Sequence, residues 1–207
     1  MSALLSVAVL MGSLLAADPQ VVEEKYPSGT VKVRQEVVNN AQGHPVPHGT
    51  TTTYFRDGTI QSQWAYAAGK RHGKWLENYE KGGLKAEGEY ANDLKQGVER
   101  RYHANGKLAV ETHYKDGLKH GTKTEFLANG RKLRETEYVN DQLHGRDQKW
   151  NLRGSLVSDV SYQNGQKHGK DLRYFADGKP FLERDYKEGI KDGVFLEWFQ
   201  NGKPRME

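Results

Sequence analysis

Five histidines stand in phase along this chain, His48, His72, His120, His144 and His168, each just before a glycine. Imidazoles in a regular column could hold metal ions. If each belongs to its own hairpin, neighbours lie two strands apart, about 9–10 Å, too far to share one ion. No cysteine and no second in-phase histidine completes a coordination set. The expected role is turn capping or solvent contact, with no metal and no cofactor. A second column, Glu87, Glu111, Glu135, Asp159, Glu183 and Glu207, could supply the carboxylate pair of a glycoside hydrolase. Such chemistry needs an acid and a base held apart in different environments, whereas one repeated position gives one environment. These carboxylates are expected to pair with the basic column Arg71, Lys95, Lys119, Lys167 and Lys191, or to face water. No phosphate-binding glycine loop, zinc-protease helix motif or serine-nucleophile elbow is present. The chain reads as non-enzymatic, with no catalytic residue.

The third kind of chemistry is aromatic. Tyr54, Tyr102, Phe126, Trp150, Tyr174 and Trp198 share one phase, interrupted by Asn78, and Tyr66, Tyr90, Tyr114, Tyr138, Tyr162 and Tyr186 share another. In a chain with few large aliphatic residues, such rings are expected to pack the structure while the tyrosine hydroxyls reach solvent or a partner. The bulkier Trp75, Trp150 and Trp198 are the candidates for partner contact.

What positions these columns is a repeat of 24 residues. Gly49, Gly73, Gly97, Gly121, Gly145, Gly169 and Gly193 keep that step, and Gly58, Gly82, Gly106, Gly130, Gly154, Gly178 and Gly202 follow nine residues behind. A unit this short suits two strands of about 5–7 residues and two turns, not a helical pair. Asp57-Gly58, Asn105-Gly106, Asn129-Gly130, Asp177-Gly178 and Asn201-Gly202 are read as type I′ hairpin turns. Asp116-Gly117, Asn164-Gly165, Glu188-Gly189, Asn92-Asp93 and Asn140-Asp141 are the return turns. The predicted fold is all-β: tandem hairpins joined edge to edge in an elongated, twisted antiparallel sheet.

The motif Tyr114-Lys-Asp-Gly-Leu-Lys-His-Gly121, with its aromatic-x-x-Asn-Gly turn and Glu-x-x-Tyr closure, resembles the MORN repeat. It is most similar to the variant found in bacterial YwqK-like antitoxin-component proteins. The resemblance covers about Pro47 to Glu207. It implies a hairpin array serving protein–protein or membrane-proximal association, with no catalytic residue to carry over. Asn78 departs from the pattern at the aromatic, Gln96 and Asp192 at the histidine, and Asp93 and Asp141 at a turn glycine.

Residues 1–17 carry no charged side chain and hold the apolar run from Ala3 to Leu15, read as a signal peptide for export to the periplasm or outside the cell. Residues 18–47 read as a degenerate first hairpin with a loop over Asn39–Pro47. Residues 48–207 read as six full copies and a C-terminal partial one. With 31 basic and 27 acidic residues interspersed, a net charge of +4 gives no nucleic-acid footprint. The expected partner is a protein, with a membrane surface, a polysaccharide or a toxin as alternatives.

Overall fold

A computed structural model describes residues 18–205. The expected signal peptide, and Glu207 of the acidic column, lie outside the described residues. Fifteen strands follow one another: β1 (Gln20–Lys25), β2 (Val31–Asn39), β3 (Pro45–Tyr54), β4 (Ile60–Ala67), β5 (Lys70–Asn78), β6 (Leu84–Ala91), β7 (Leu94–Tyr102) and β8 (Leu108–Lys115). They continue with β9 (Leu118–Phe126), β10 (Lys132–Val139), β11 (Gln142–Trp150), β12 (Leu156–Gln163), β13 (Gln166–Tyr174), β14 (Pro180–Lys187) and β15 (Ile190–Glu197). Each pairs antiparallel with the next, so strand order in the single sheet is sequence order. At about 4.8 Å per strand the sheet is on the order of 65–70 Å across. Strands within the regular copies run to eight or nine residues, longer than expected, because pairing continues through the glycines of the first ladder.

Those glycines mark bulges. Gly121 has φ +104°, and an added Cβ there would lie 3.2 Å from the Cβ of His113 on the preceding strand. Both features exclude a side chain. Across the other edge of its strand Gly121 faces Tyr138, and Gly49, Gly73, Gly97, Gly145 and Gly169 likewise face Tyr66, Tyr90, Tyr114, Tyr162 and Tyr186. The glycine and tyrosine columns are therefore one structural device, a ring laid opposite a residue with no side chain of its own.

The two turn classes differ from the sequence reading. Type I′ geometry belongs to the return turns, where both central residues have positive φ: Asn92 and Asp93, Asn140 and Asp141, Asp116 and Gly117. At Asp57-Gly58, Asn105-Gly106, Asn129-Gly130, Asp177-Gly178 and Asn201-Gly202 only the glycine does. There the Gly58 amide donates to Phe55 O at 3.0 Å and the Phe55 amide to Thr59 O at 2.8 Å, giving a type I turn closed by a left-handed glycine. The Asp57 side chain explains the choice, because its carboxylate accepts the Thr59 amide at 2.9 Å. Asn105, Asn129, Asp177 and Asn201 hold the amide two residues on in the same way. Such an Asx turn fixes the residue before glycine at negative φ.

The first hairpin is a full member of the sheet. Its expected loop at Asn39–Pro47 is only a tight turn around Asn40–Gly43, since Val37 pairs with Pro47, Val38 with Val46 and Asn39 with Pro45. Both prolines are tolerated because Pro45 opens β3 and Pro47 lies beside the register shift between β2 and β3.

Candidate functional site

Register sorts the side chains onto two faces. Tyr90 pairs with Lys95 across one return turn, as Tyr66 does with Arg71, Tyr114 with Lys119 and Tyr162 with Lys167, so tyrosines and the basic column share a face. Each base also lies over the tyrosine of the following hairpin. Arg71 sits 4.2 Å from the Tyr90 centroid, Lys95 4.7 Å from Tyr114, Lys119 5.1 Å from Tyr138 and Lys167 4.7 Å from Tyr186. Leu143 occupies the basic position opposite Tyr138 and interrupts this ladder.

The same face holds carboxylates that sequence reasoning missed. Glu99, Asp147 and Asp171 are buried, each gripped by cations: Glu99 by Lys95 and Arg101, Asp147 by Arg134 at 2.7 Å, Asp171 by Lys167 and Arg173 at 2.6 Å each. Burial drives the Asp171 pKa upward, but the bonds from Arg173 and Lys167 outweigh it and leave the group below its ordinary value. These acids follow the ladder glycine by two residues, a position that reads Thr51, Trp75 and Lys123 in other copies. Their only sequence signal was parity with the tyrosine.

The acidic column lies on the opposite face, three residues before each tyrosine and so at odd offset. It therefore does not meet the basic column, contrary to expectation. Glu111 instead binds Arg100 at 2.8 Å, Glu135 binds Lys132 at 2.8 Å, Asp159 binds Arg146 and Glu183 binds Lys170. Glu87 accepts the Tyr102 hydroxyl at 2.6 Å, and burial, then this bond, pushes the Tyr102 pKa up to about 12. Each carboxylate thus has its own partner.

The histidine column meets the stacked return turns. His48 Nδ1 accepts the Ala68 amide at 3.3 Å, and His120 Nδ1 lies 3.3 Å from Asn140 Oδ1. Gln96, which replaces a histidine, makes the equivalent contact with Asp116 at 2.9 Å. Among the described residues no group of three or more His, Asp or Glu is placed to hold a metal ion.

The three tryptophans are not brought together. Trp75 follows its ladder glycine by two residues, whereas Trp150 and Trp198 follow theirs by five, so they fall on opposite faces. Trp75 is 6% exposed and stacks on Trp64, centroids 4.8 Å apart and rings 7° from parallel, beside Ala86 and Tyr90. Trp150 is half-buried in the aromatic row with the Lys132 ammonium 5.1 Å from its ring. Trp198 is half-buried, and its backbone bridges Pro204.

Three hollows lie along the first three copies of the array. On the acidic-column face, Gln63, Leu76, Glu87 and Arg100 form one cross-strand row, and Thr50, Ala65, Lys74, Glu89 and Val98 stand beside it around a depression of about 510 Å³. Trp64, Trp75 and Gly88 complete its lining. Two further hollows of about 600 and 510 Å³ flank Asn78, where a ring is missing from the aromatic row. The Asn78 amide donates to Ile60 O at 2.9 Å, closing the strand end without filling that space.

Residues 47–68, 71–92 and 95–116 match the MORN repeat variant family. The matched segments are three consecutive copies and contain every residue that lines the three hollows. MORN repeats are a scaffold for binding, not a catalytic fold. No curated protein matches the chain.

Proposed function

We propose that this chain is an exported, non-enzymatic scaffold that presents an extended surface to a protein partner at the cell envelope or outside the cell. The observation that carries this reading is the repetition itself: equivalent columns recur at every second strand along one sheet, so a long partner meets the same groups several times. The charge-free leader with its apolar run supports export. An antitoxin role would require the partner to be a toxin met in the same compartment.

The test uses in-phase deletions of single 24-residue copies, assayed against a partner identified by crosslinking in the native cell. Several equivalent contacts predict a graded fall in affinity across the set. Loss confined to one deletion, with the others unaffected, would overturn the extended-surface reading. Mass spectrometry of the secreted fraction should find a mature N-terminus near Asp18, and an intact Met1 form retained in the cytoplasm would overturn export.

A further inference from the structure

From the lining of the depression on β3–β7 we infer that it is a binding site for a neutral saccharide unit, free or within a longer glycan. The hollow lies where small and apolar side chains meet: Ala65 stands where later copies carry Glu89, His113, Glu137, Ser161 and Asp185, and beside it is Leu76, whose position reads Arg100, Thr124, Gln148, Leu172 and Leu196 in later copies. The result is an apolar floor of Ala65, Leu76 and Val98 inside a polar rim, the composition of small-ligand sites, and about 510 Å³ is room for one or two sugar rings.

The rim selects the ligand class. It holds two acids, Glu87 and Glu89, and two bases, Lys74 and Arg100, so an ion of either sign meets repulsion as well as attraction. A purely apolar ligand would strip water from these groups without replacing their hydrogen bonds. Glu87 and Arg100 are already committed to Tyr102 and Glu111. Among the described residues the side chains of Thr50, Gln63, Lys74 and Glu89 make no hydrogen bond or ion pair, leaving a hydroxyl, an amide, an ammonium and a carboxylate around one opening. Lys74 and Glu89 are direct cross-strand neighbours of opposite charge, so their fields largely cancel over the opening and a charged ligand gains little there. Neutral hydroxyl groups, each both donor and acceptor, can bridge all four. A sugar ring also offers an apolar C–H face to the floor.

Saturation-transfer NMR on the purified chain, with cellobiose, maltose and N,N′-diacetylchitobiose as probes, tests the assignment. At least one probe should show transfer, and Ala65→Trp, which fills the hollow, should weaken it by at least about tenfold. Gln63→Ala, which leaves the floor intact, should weaken the same probe with an unchanged circular dichroism spectrum, and it serves as the test if Ala65→Trp does not fold. Absence of transfer from all three, equal transfer to both variants and the parent, or tighter binding of leucine than of any sugar would each overturn the saccharide assignment.

Discussion

The Lys95 ammonium lies 4.7 Å from the centre of the Tyr114 ring, on the tyrosine one hairpin beyond its own register partner Tyr90. One lysine thus ties three consecutive strands, by facing one ring and covering the next. Because the arrangement recurs at Arg71, Lys119 and Lys167, it is a stitch between hairpins and not a local ornament.

Leu143 breaks this series, which makes it a site for gain. Leu143→Lys should place an ammonium over Tyr162 and raise stability by about 0.5–1 kcal/mol, the usual worth of an exposed cation–π contact. Lys119→Met should remove a similar amount. Urea denaturation of both variants reads the pair, and a destabilised Leu143→Lys would show that the leucine contact is worth more than the cation.

Gly121→Ala should be clearly destabilising, by roughly 1–3 kcal/mol for the left-handed backbone alone. The new methyl would also press on His113, 3.2 Å away. Gly106→Ala, at φ +79° with open space around it, should suffer only the backbone strain. Equal midpoints for the two variants would rule out the bulge contact as the reason for glycine in the first ladder.

The strands, their order and the tyrosine column were legible in the sequence because all of them repeat. The turn class was misread at Asp57-Gly58 because Asx-Gly serves both type I′ turns and type I turns closed by glycine. Spacing distinguishes them: five residues separate Tyr54 from Ile60, more than a two-residue loop allows. The hollow on β3–β7 escaped notice for the opposite reason. It depends on Ala65, which no later copy repeats, beside Leu76 and Val98, whose positions change from copy to copy, and a reading built on recurrence passes over them. The separation of acids from the basic column could have been read from the odd offset between Glu87 and Tyr90.

Trp75 and Trp150 were singled out together, and the structure predicts that they respond differently. Trp75→Ala should cost about 3–5 kcal/mol, since the ring is buried against Trp64. Trp150→Ala, in a half-buried row, should cost less and leave the circular dichroism spectrum unchanged. If binding to a crosslinked partner falls with Trp150→Ala at unchanged stability, the aromatic row is a contact surface.

Asp171 sets an acid limit on stability. Its folded pKa is depressed below the ordinary 3.8, so its pairing with Arg173 and Lys167 contributes fully above the unfolded value and is lost as pH falls through the folded one. Asp171→Asn should therefore be less stable than the parent at neutral pH, with the difference shrinking below pH 4. Melting temperatures measured from pH 7 to pH 2 check this, and a constant difference would exclude ionisation as the source.

Removal of Lys95–Leu118 joins Leu94 to Lys119 and excises one whole copy in register. Lys119 then takes the place of Lys95 opposite Tyr90, Gly121 that of Gly97, and the return turn Asn92-Asp93 is untouched. Every column continues across the joint, because contacts in this sheet run between neighbouring strands in sequence order. The shortened chain should fold with the same β-sheet circular dichroism per residue and a modestly lower melting temperature, as expected when stability is a sum over repeats and their interfaces. A deletion five residues shorter, Lys95–His113, would instead put Tyr114 opposite Tyr90 with the return turn Asp116-Gly117 close behind it, so that a strand is replaced by a turn. It should not fold, and if both deletions behave alike, register between glycine, tyrosine and base is not what holds the hairpins together.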